Sequence, residues 1–541
     1  MFLEIHTDRR PKTPYHYGLF RETFRQDGQV KHRTRGRVTG LDHAQLLALR
    51  EFVKCGCPGG VLSSCAVKRS REHGASAAVL RMAEELGLPR LLYSRREPWV
   101  KHVLAMLVGR VVYQGSKLAL TNLWKDSALW SLCGLGEDRP DVEDCYDALD
   151  RLLARQAAIQ KRLAGRHLQG GCLVLYDVTS TYFEGAYEDS DLVAFGYNRD
   201  GKRGHPQIVI GMMTDARGCP VGVFVYPGNT ADQTTLADRV RELKDRYGLA
   251  EVILAGDRGM LTAARLAELS EAGMRSVTAL THPQMLALVE RKVIEPGLFD
   301  EHNIAEVTDP RQPSIRYLLC RNPLTAEKES KTRQALIGKS REALEKLARS
   351  RKQRTAEQIG AAVGVALAKW KVGKFFAWRV AAGTLEWTLD EARVTREAAL
   401  DGCYVIRTDA PAATLDKTHA VAAYRQLAQV DRGFRQLKTV ALEMRPVYHH
   451  KDERIEAHVF LCMLAYYVQW HMQQRLAPLF AEDGQGKNRR RTFVGVLERL
   501  KSIREQTVVL HRTEATITTT PDPEQQRLLD LLSRPPETDP A

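Results

Sequence analysis

Two short apolar runs that each end in an aspartate constrain the fold of this chain more than any other feature. The first is Cys172-Leu-Val-Leu-Tyr-Asp177 and the second is Val252-Ile-Leu-Ala-Gly-Asp257. Runs of this length and composition predict buried strands. A carboxylate at the end of such a strand is costly to desolvate unless a cation or hydrogen-bond donors accompany it. The pair therefore predicts two strand ends whose aspartates share a metal site.

The composition is that of a globular protein with several domains. The chain has 541 residues, of which 44% are hydrophobic and 27% charged. No stretch approaches the ~20 apolar residues of a membrane span, and the most apolar run near the end, 459–468, predicts a buried helix. Charge close to Met1 leads us to expect no signal peptide and no membrane partner. Ten scattered cysteines predict a reducing, cytoplasmic environment rather than a disulfide framework.

The charge balance favours a polyanionic partner, since the formal net charge is +14. The basic residues are unevenly placed. Residues 320–354 carry 11 Lys and Arg against 4 Glu, and Arg489 to Arg491 are consecutive. Contact with nucleic acid is one interpretation of these patches. A solvated helix surface followed by a loop is the other.

The pattern along the chain predicts five regions. Residues 1–40 alternate as strands do, and residues 41–170 have helical spacing. Residues 171–282 predict the order β-β-β-α-β-α-β, with a hairpin between strands 207–214 and 220–226, and thus a mixed sheet with helices on its faces. This order breaks over 283–400. A strand at 404–408 and helices to about 475 follow. The last region, 476–541, is a basic segment with a tail expected to be loosely ordered from about 520.

Three motifs together carry a family resemblance. They are Leu-Tyr-Asp177-Val-Thr-Ser-Thr-Tyr-Phe-Glu-Gly, Ala-Gly-Asp257-Arg-Gly-Met, and Tyr424-Arg-Gln-Leu-Ala-Gln-Val-Asp431-Arg-Gly-Phe-Arg-Gln-Leu-Lys438. Over roughly residues 170–475 the chain resembles a DDE insertion-sequence transposase, and more closely the "insertion sequence four" superfamily. Each motif alone is a weak signal, whereas the three in this order are specific.

The resemblance implies a fold, a chemistry and partners. It implies a ribonuclease H-like catalytic domain over 171–282 and 401–475, split by an insertion domain at 283–400, with 41–170 binding the DNA ends. Asp177, Asp257 and Asp431 would be both catalytic residues and ligands of two Mg²⁺ ions, for which Mn²⁺ can substitute. The partners would be double-stranded DNA, as inverted-repeat ends and target, and further copies of the chain in a homodimer or larger assembly. The location implied is a bacterial cytoplasm, at the nucleoid.

The third motif departs from the family pattern, Tyr-x2-Arg-x3-Glu-x6-Lys, at two positions. Asp431 stands where the family has Glu, and Leu427 where it has Arg. The shorter carboxylate leaves Glu443 as the alternative third acid. On a regular helix Tyr424, Asp431, Arg435 and Lys438 lie within an arc of roughly 60°, beside an apolar stripe of Val430, Phe434 and Leu437.

Six residues are candidates for DNA contact. The resemblance and the helical arc indicate Tyr424, Arg435 and Lys438, and the loop at 197–205 and the second motif add Lys202, Arg203 and Arg258. Arginine binds phosphate oxygens in a bidentate way and lysine as a point charge. The alternative is that these cations are solvated surface charges, and that each aspartate caps a turn.

Several other features keep alternatives open. Cys55, Cys57, Cys65 and His73 invite a zinc interpretation, but their spacing is poor for it. Trp378 and Trp387 are predicted core residues, with base stacking as the alternative. Two other functions share the motifs: a nuclease of the same fold that only hydrolyses DNA, and a catalytically inactive DNA-binding protein descended from a transposase.

Overall fold

A computed structural model describes most of the chain, in two compact units. The described residues are 2–8, 15–26, 28–55, 65–199, 201–202, 204–249, 251–301, 304–350, 354–381, 383–440, 442–445, 447–483, 491–510 and 513–533. The first unit comprises Met1–Ala148 and Val468–Ala541, and the second is Leu149–Tyr467. Three parts of the sequence predictions lie outside the described residues: Arg203, Cys57 and the basic residues 487–490.

The elements are numbered in chain order. The strands are β1 (Phe2–Asp8), β2 (Tyr15–Gln26), β3 (Gln29–Val38), β4 (Cys65–Glu72), β5 (Leu173–Tyr182), β6 (Gln207–Asp215), β7 (Pro220–Pro227), β8 (Ile253–Ala255), β9 (Arg275–Ala279), β10 (Ala305–Asp309), β11 (Gln312–Arg321), β12 (Phe376–Ala381), β13 (Thr384–Leu389), β14 (Cys403–Thr408), β15 (Arg504–Leu510) and β16 (Thr513–Thr518). The helices are α1 (His43–Cys55), α2 (Gly74–Glu85), α3 (Leu88–Leu92), α4 (Pro98–Val112), α5 (Lys117–Asn122), α6 (Leu129–Leu132), α7 (Val142–His167), α8 (Thr235–Arg241), α9 (Ala263–Glu271), α10 (His282–Glu290), α11 (Leu298–Glu301), α12 (Pro323–Ala348), α13 (Ala356–Trp370), α14 (Glu391–Ala398), α15 (Lys417–Arg435), α16 (Asp452–Arg475), α17 (Ala477–Glu482), α18 (Phe493–Lys501) and α19 (Pro523–Ser533).

The first unit combines two small antiparallel sheets with helices. Strands β1, β2 and β3 form one sheet, and β16, β15 and β4 form the other. The pairing of β4 with β15 places a strand inside a region predicted to be helical. The expectation of a loose tail from about 520 is also wrong for residues 523–533, which form α19. The reason is its apolar face, since Leu528, Leu531 and Leu532 are buried.

The second unit is built on an eight-stranded mixed sheet in the order β10-β11-β14-β9-β8-β5-β6-β7. Strands β5, β8 and β9 are parallel, whereas the other neighbours are antiparallel. The predicted order from β5 to β9 and the hairpin of β6 with β7 are confirmed. The ribonuclease H-like mixed sheet with flanking helices, predicted from the motifs, is therefore the fold of this unit.

The predicted insertion at 283–400 is divided between two cores. Strands β10 and β11 extend the main sheet, because β11 pairs with β14, and α10 packs its Met285 and Leu288 in the same core. The rest, from α12 to α14, surrounds a separate core with the hairpin of β12 and β13. Strand pairing between distant segments is not encoded in local periodicity, so the sequence alone did not place β11 beside β14.

The segment after β14 carries the third motif on a helix. Asp416 caps α15 by accepting hydrogen bonds from the backbone N–H groups of Thr418 and His419. Residues 436–440 continue it as a π-helical turn, and α16 follows with the buried residues 459–468 that the sequence predicted. In the described part of the chain no single helix has the length and apolarity to cross a membrane, although α4 and 117–125, bent at 94°, meet that test as a pair.

Candidate active site

Asp177 and Asp257 occupy matching positions on β5 and just beyond the end of β8, its parallel neighbour. Leu175 of β5 pairs with Ala255, the last residue of β8, and each aspartate follows two residues later. Because neighbouring strands are about 4.8 Å apart, the two side chains come close together, and both line the same cavity. The prediction that Asp177 ends its strand is wrong: β5 continues to Tyr182, since the residues after Asp177 are largely β-branched.

Helix α15 brings Asp431 to the same side. The helix packs on β5, β8, β9 and β14, and at Gly433 the contact is close. A Cβ atom there would lie 2.7 Å from the Cε of Met212 and 3.1 Å from the ring of Tyr466. The apolar stripe of the helix is buried as predicted, with Val430, Phe434 and Leu437 all in the core. Asp431, on the neighbouring face, stays exposed.

The three aspartates line one cavity of about 700 Å³, which we call the acid cavity. Its other lining residues are Asn322, Tyr404, Tyr424, Arg425, Leu427 and Ala428. The structure thus brings together three acids that stand far apart in the chain. Glu443, the alternative third acid, lines a different cavity together with Lys438 and Tyr182. Asp431 therefore has the position that the third acid requires.

Electrostatics in the acid cavity favours a bound cation. The pKa of Asp177 is raised to about 7. Burial is the main cause and the charges of Asp431 and Asp257 add to it, whereas the Val178 N–H and Arg199 lower it. Burial and the charge of Asp257 also raise the pKa of Asp431. In the described part of the chain no ion pair involves any of the three carboxylates. Mutually repelling carboxylates are the donor set that hard divalent cations bind.

The DNA-contact residues predicted on and just after α15 differ in burial and in location. Tyr424 is half-buried in the acid cavity, and Arg435 is exposed. Lys438 is buried, with its Nζ donating to Thr179 Oγ1 over 2.6 Å. Thr179 lies two residues after Asp177 on β5, so Lys438 contacts the same side of the sheet as that acid. Lys438 is therefore not a solvated surface charge, and its contact with DNA stays a prediction.

The other predicted contacts lie apart from the three acids. Arg258 is exposed, and its backbone N–H donates to Asp257 Oδ1 over 2.8 Å, but its side chain lines another cavity. Lys202 is exposed with its Nζ 5.7 Å from the ring centroid of Tyr182. Neither residue lines the acid cavity. Their contact with DNA stays a prediction.

Three residues of the acid cavity were missed by the sequence analysis. They are Arg425, whose side chain donates to the Tyr404 hydroxyl, Tyr404 itself, and Asn322. Arg425 was detectable in principle, because it directly follows Tyr424 in a motif that lacks its expected arginine. Asn322 and Tyr404 become neighbours only through the pairing of β11 with β14, where Cys320 is opposite Tyr404.

None of the zinc or stacking candidates among the described residues lines the acid cavity. In the described range, His73 lies near Glu505, with its Nδ1 3.9 Å from the carboxylate, in the first unit. Trp387 packs in the separate core of the α12–α14 region, and Trp378, its partner across β12 and β13, is 42% exposed. The core prediction thus holds for Trp387 alone.

Comparison with known proteins agrees with this geometry. A family model described as a transposase DDE domain matches residues 169–468. The match contains all three acids of the cavity and covers more than half of the chain. A search of curated proteins gives no significant match.

Proposed function

Because this chain belongs to the transposase DDE domain family, we propose that it cuts DNA at the inverted-repeat ends of an insertion sequence and joins those ends to target DNA. We place it in the "insertion sequence four" superfamily on its third motif. The observation that carries the proposal is the convergence of Asp177, Asp257 and Asp431 on one cavity.

Asp177, Asp257 and Asp431 would hold two Mg²⁺ ions, for which Mn²⁺ can substitute. The fit rests on the donor set: three oxygen ligands of one charge, two of them with a raised pKa, gathered without an ion-pair partner among the described residues. When bound, two Mg²⁺ ions activate the attacking oxygen and stabilise the leaving oxygen of an in-line displacement. Magnesium also prefers hard oxygen ligands and retains waters, so three carboxylates suffice.

Side chains around the acid cavity would orient the scissile phosphate. Arg425 stands two positions before Leu427, where the family has its arginine, and lines the cavity with Tyr424. Its guanidinium is held by the Tyr404 hydroxyl, which favours one orientation for bidentate contact with a phosphate. We assign phosphate positioning to Arg425 and Tyr424, and contact with the flanking backbone to Arg435, Arg258, Lys202 and Arg203.

Two successive displacements at one site account for transposition. Water first attacks the phosphorus at the element end, and the 3′ oxygen leaves with a proton as a free hydroxyl. That hydroxyl then attacks a phosphorus of the target strand and displaces the target's 3′ oxygen, which takes up the proton. The second step exchanges one phosphodiester for another and needs no external energy source. Paired ends would require an assembly of two or more copies, with residues 41–170 binding the ends.

A strand-joining assay tests the proposal. The full chain is incubated with Mg²⁺, a labelled duplex carrying the inverted repeat that flanks its coding region, and a supercoiled target plasmid. We expect labelled DNA covalently joined to the plasmid, and no product when EDTA is present. Cleavage without joining would identify a nuclease that only hydrolyses. DNA binding without cleavage would identify an inactive descendant of a transposase.

A further inference from the structure

A second cavity lies on the opposite face of the main sheet from the three acids. It has a volume of about 450 Å³ and is enclosed by the sheet, α9 and α10. Three arginines line it, Arg258, Arg291 and Arg407, against the single carboxylate of Asp409. We call it the arginine cavity. Its size is within the range of small-molecule sites.

Strand pairing fixes the floor of the arginine cavity. Arg407 of β14 is opposite Thr278 of β9 on one side and Tyr317 of β11 on the other. Residues directly opposite in antiparallel strands point to the same face. The three side chains therefore form a row across the sheet, and this row faces away from the acid cavity.

Polar atoms in this row lack protein partners. Among the described residues, neither Arg407 Nη1 nor Thr278 Oγ1 has a hydrogen-bond partner, although both atoms are buried. Thr278 is 2% exposed. A buried donor without a partner costs free energy, so a native protein rarely leaves one without a ligand or water.

Asp409, which lines the cavity, and Asp309, which pairs with its Arg291, are both already engaged. Asp409 Oδ1 accepts hydrogen bonds from the backbone N–H of Ser276 over 2.6 Å and from its hydroxyl over 3.0 Å. Asp309 pairs with Arg291 and accepts from the Arg311 N–H. The guanidinium of Arg407 thus retains a donor directed at no anion of the described chain.

We propose that the arginine cavity binds a 5′-phosphorylated nucleoside, either as a free mononucleotide or as the 5′ end of a DNA strand. Arg407 receives the phosphate, because a guanidinium group binds phosphate oxygens in a bidentate way. Leu266, Leu288 and Ile315 line the cavity as an apolar wall against which a base packs. The proposal does not depend on the transposase activity, since it involves none of the three acids.

Thermal unfolding of the full chain in EDTA tests the proposal, because EDTA prevents metal-bridged binding at the acid cavity. The probes are 2′-deoxyadenosine 5′-monophosphate, 2′-deoxyadenosine and inorganic phosphate, each at millimolar concentration. We expect the monophosphate to raise the Tm by about 2 °C or more, and the other two to raise it by less than half as much. Short oligonucleotides with and without a 5′-phosphate then show which source of the phosphate binds more tightly.

Two variants locate the effect. Arg407→Gln removes the unpartnered donor, and Ala287→Phe fills the cavity from an exposed position of α10. Both should abolish the shift, whereas Arg241→Gln, which removes the same charge from an exposed site, should retain it. If Arg407→Gln does not fold, Ala287→Phe alone decides. A shift that survives in Ala287→Phe, a shift equal for phosphate alone, or no shift in the unmodified chain would overturn the proposal.

Discussion

The two faces of the main sheet carry opposite charges. One face presents Asp177 and Asp257 to the acid cavity, and the other presents Arg407 and Thr278 to the arginine cavity. The sorting extends to sequence neighbours, since Asp257 lines the first cavity and Arg258, at the turn after β8, lines the second. Charged residues that are neighbours in this sequence can therefore belong to different sites, because the face of the sheet decides which cavity a side chain lines.

The largest expected effect comes from removing one acid of the acid cavity. Asp177→Asn should lower DNA cleavage and strand joining by about 10³-fold or more, because an uncharged amide does not hold the cations that stabilise the reaction. Its Kd for end DNA should stay within about threefold, since binding depends mainly on basic residues. Gel-based cleavage and fluorescence anisotropy measure the two. Asp238→Asn, in an exposed ion pair, is the matched control, and unchanged cutting by Asp177→Asn would refute the site.

The next expected effect distinguishes Asp431, in the acid cavity, from Glu443, in the neighbouring cavity of Lys438. Asp431→Asn should lose cleavage about as fully as Asp177→Asn, whereas Glu443→Gln should keep it, because Glu443 lines the cavity of Lys438. Asp431→Glu should change the rate less than about tenfold, since position 431 already lines the acid cavity with the other two acids and the longer side chain keeps the carboxylate. Single-turnover cleavage rates measure all three. A gain of much more than tenfold in Asp431→Glu would mean that the natural site is impaired.

A smaller effect is expected on stability, with a defined dependence on pH. The pKa of Asp177 rises from its ordinary 3.8 to about 7 on folding. Below about pH 3 the carboxyl is protonated in both states, but as the pH rises to 7 the unfolded state loses the proton first, and folding is increasingly penalised. Asp177→Asn removes the penalty.

Thermal unfolding in EDTA measures this effect. The Tm of Asp177→Asn should exceed that of the unmodified chain by several °C at pH 8, at about 2 °C per kcal/mol, and by only about 1 °C at pH 4. Asp238→Asn should show no such pH-dependent difference. The Tm difference between Asp177→Asn and the unmodified chain should thus be larger at pH 8 than at pH 4. A smaller difference at pH 8 would contradict the raised pKa of Asp177.

The smallest effect concerns the edge of the acid face, where Lys438 meets Thr179. Thr179→Val removes the acceptor of a 2.6 Å hydrogen bond to a buried ammonium group. The free energy of unfolding should fall by about 1–3 kcal/mol, as measured in urea. Thr516→Val, at an exposed position of β16, should cost less than about 0.5 kcal/mol. Equal costs at the two positions would show that Lys438 is satisfied elsewhere.

The parts of the site that were predicted correctly are those encoded by the pattern of apolar residues within one short segment. Leu173 to Tyr176 and Val252 to Ala255 are apolar runs, and their burial as strands follows from composition. The position of Asp431 follows from helical spacing, because Val430, Phe434 and Leu437 mark the buried side of α15. The ribonuclease H-like fold follows from the order of these elements together with the motifs.

The parts that sequence did not predict depend on contacts between distant segments. Tyr404 and Asn322 reach the acid cavity through the pairing of β11 with β14, and β11 itself was expected in a separate domain. Lys438 is buried with its ammonium against Thr179 of β5, a contact between segments far apart in the chain. The extension of β5 beyond Asp177 was missed because polar Thr and Ser obscured its β-branched character.

The π-helical turn at 436–440 makes this stretch sensitive to length more than to composition. A π turn holds roughly one more residue than an α turn. Deleting or inserting one residue between Asp431 and Lys438 would shift Lys438 by one position, about 100° around a regular helix axis, and move its ammonium away from Thr179. Natural variants should therefore keep the number of residues between Asp431 and Lys438 fixed, even where they exchange the residues themselves.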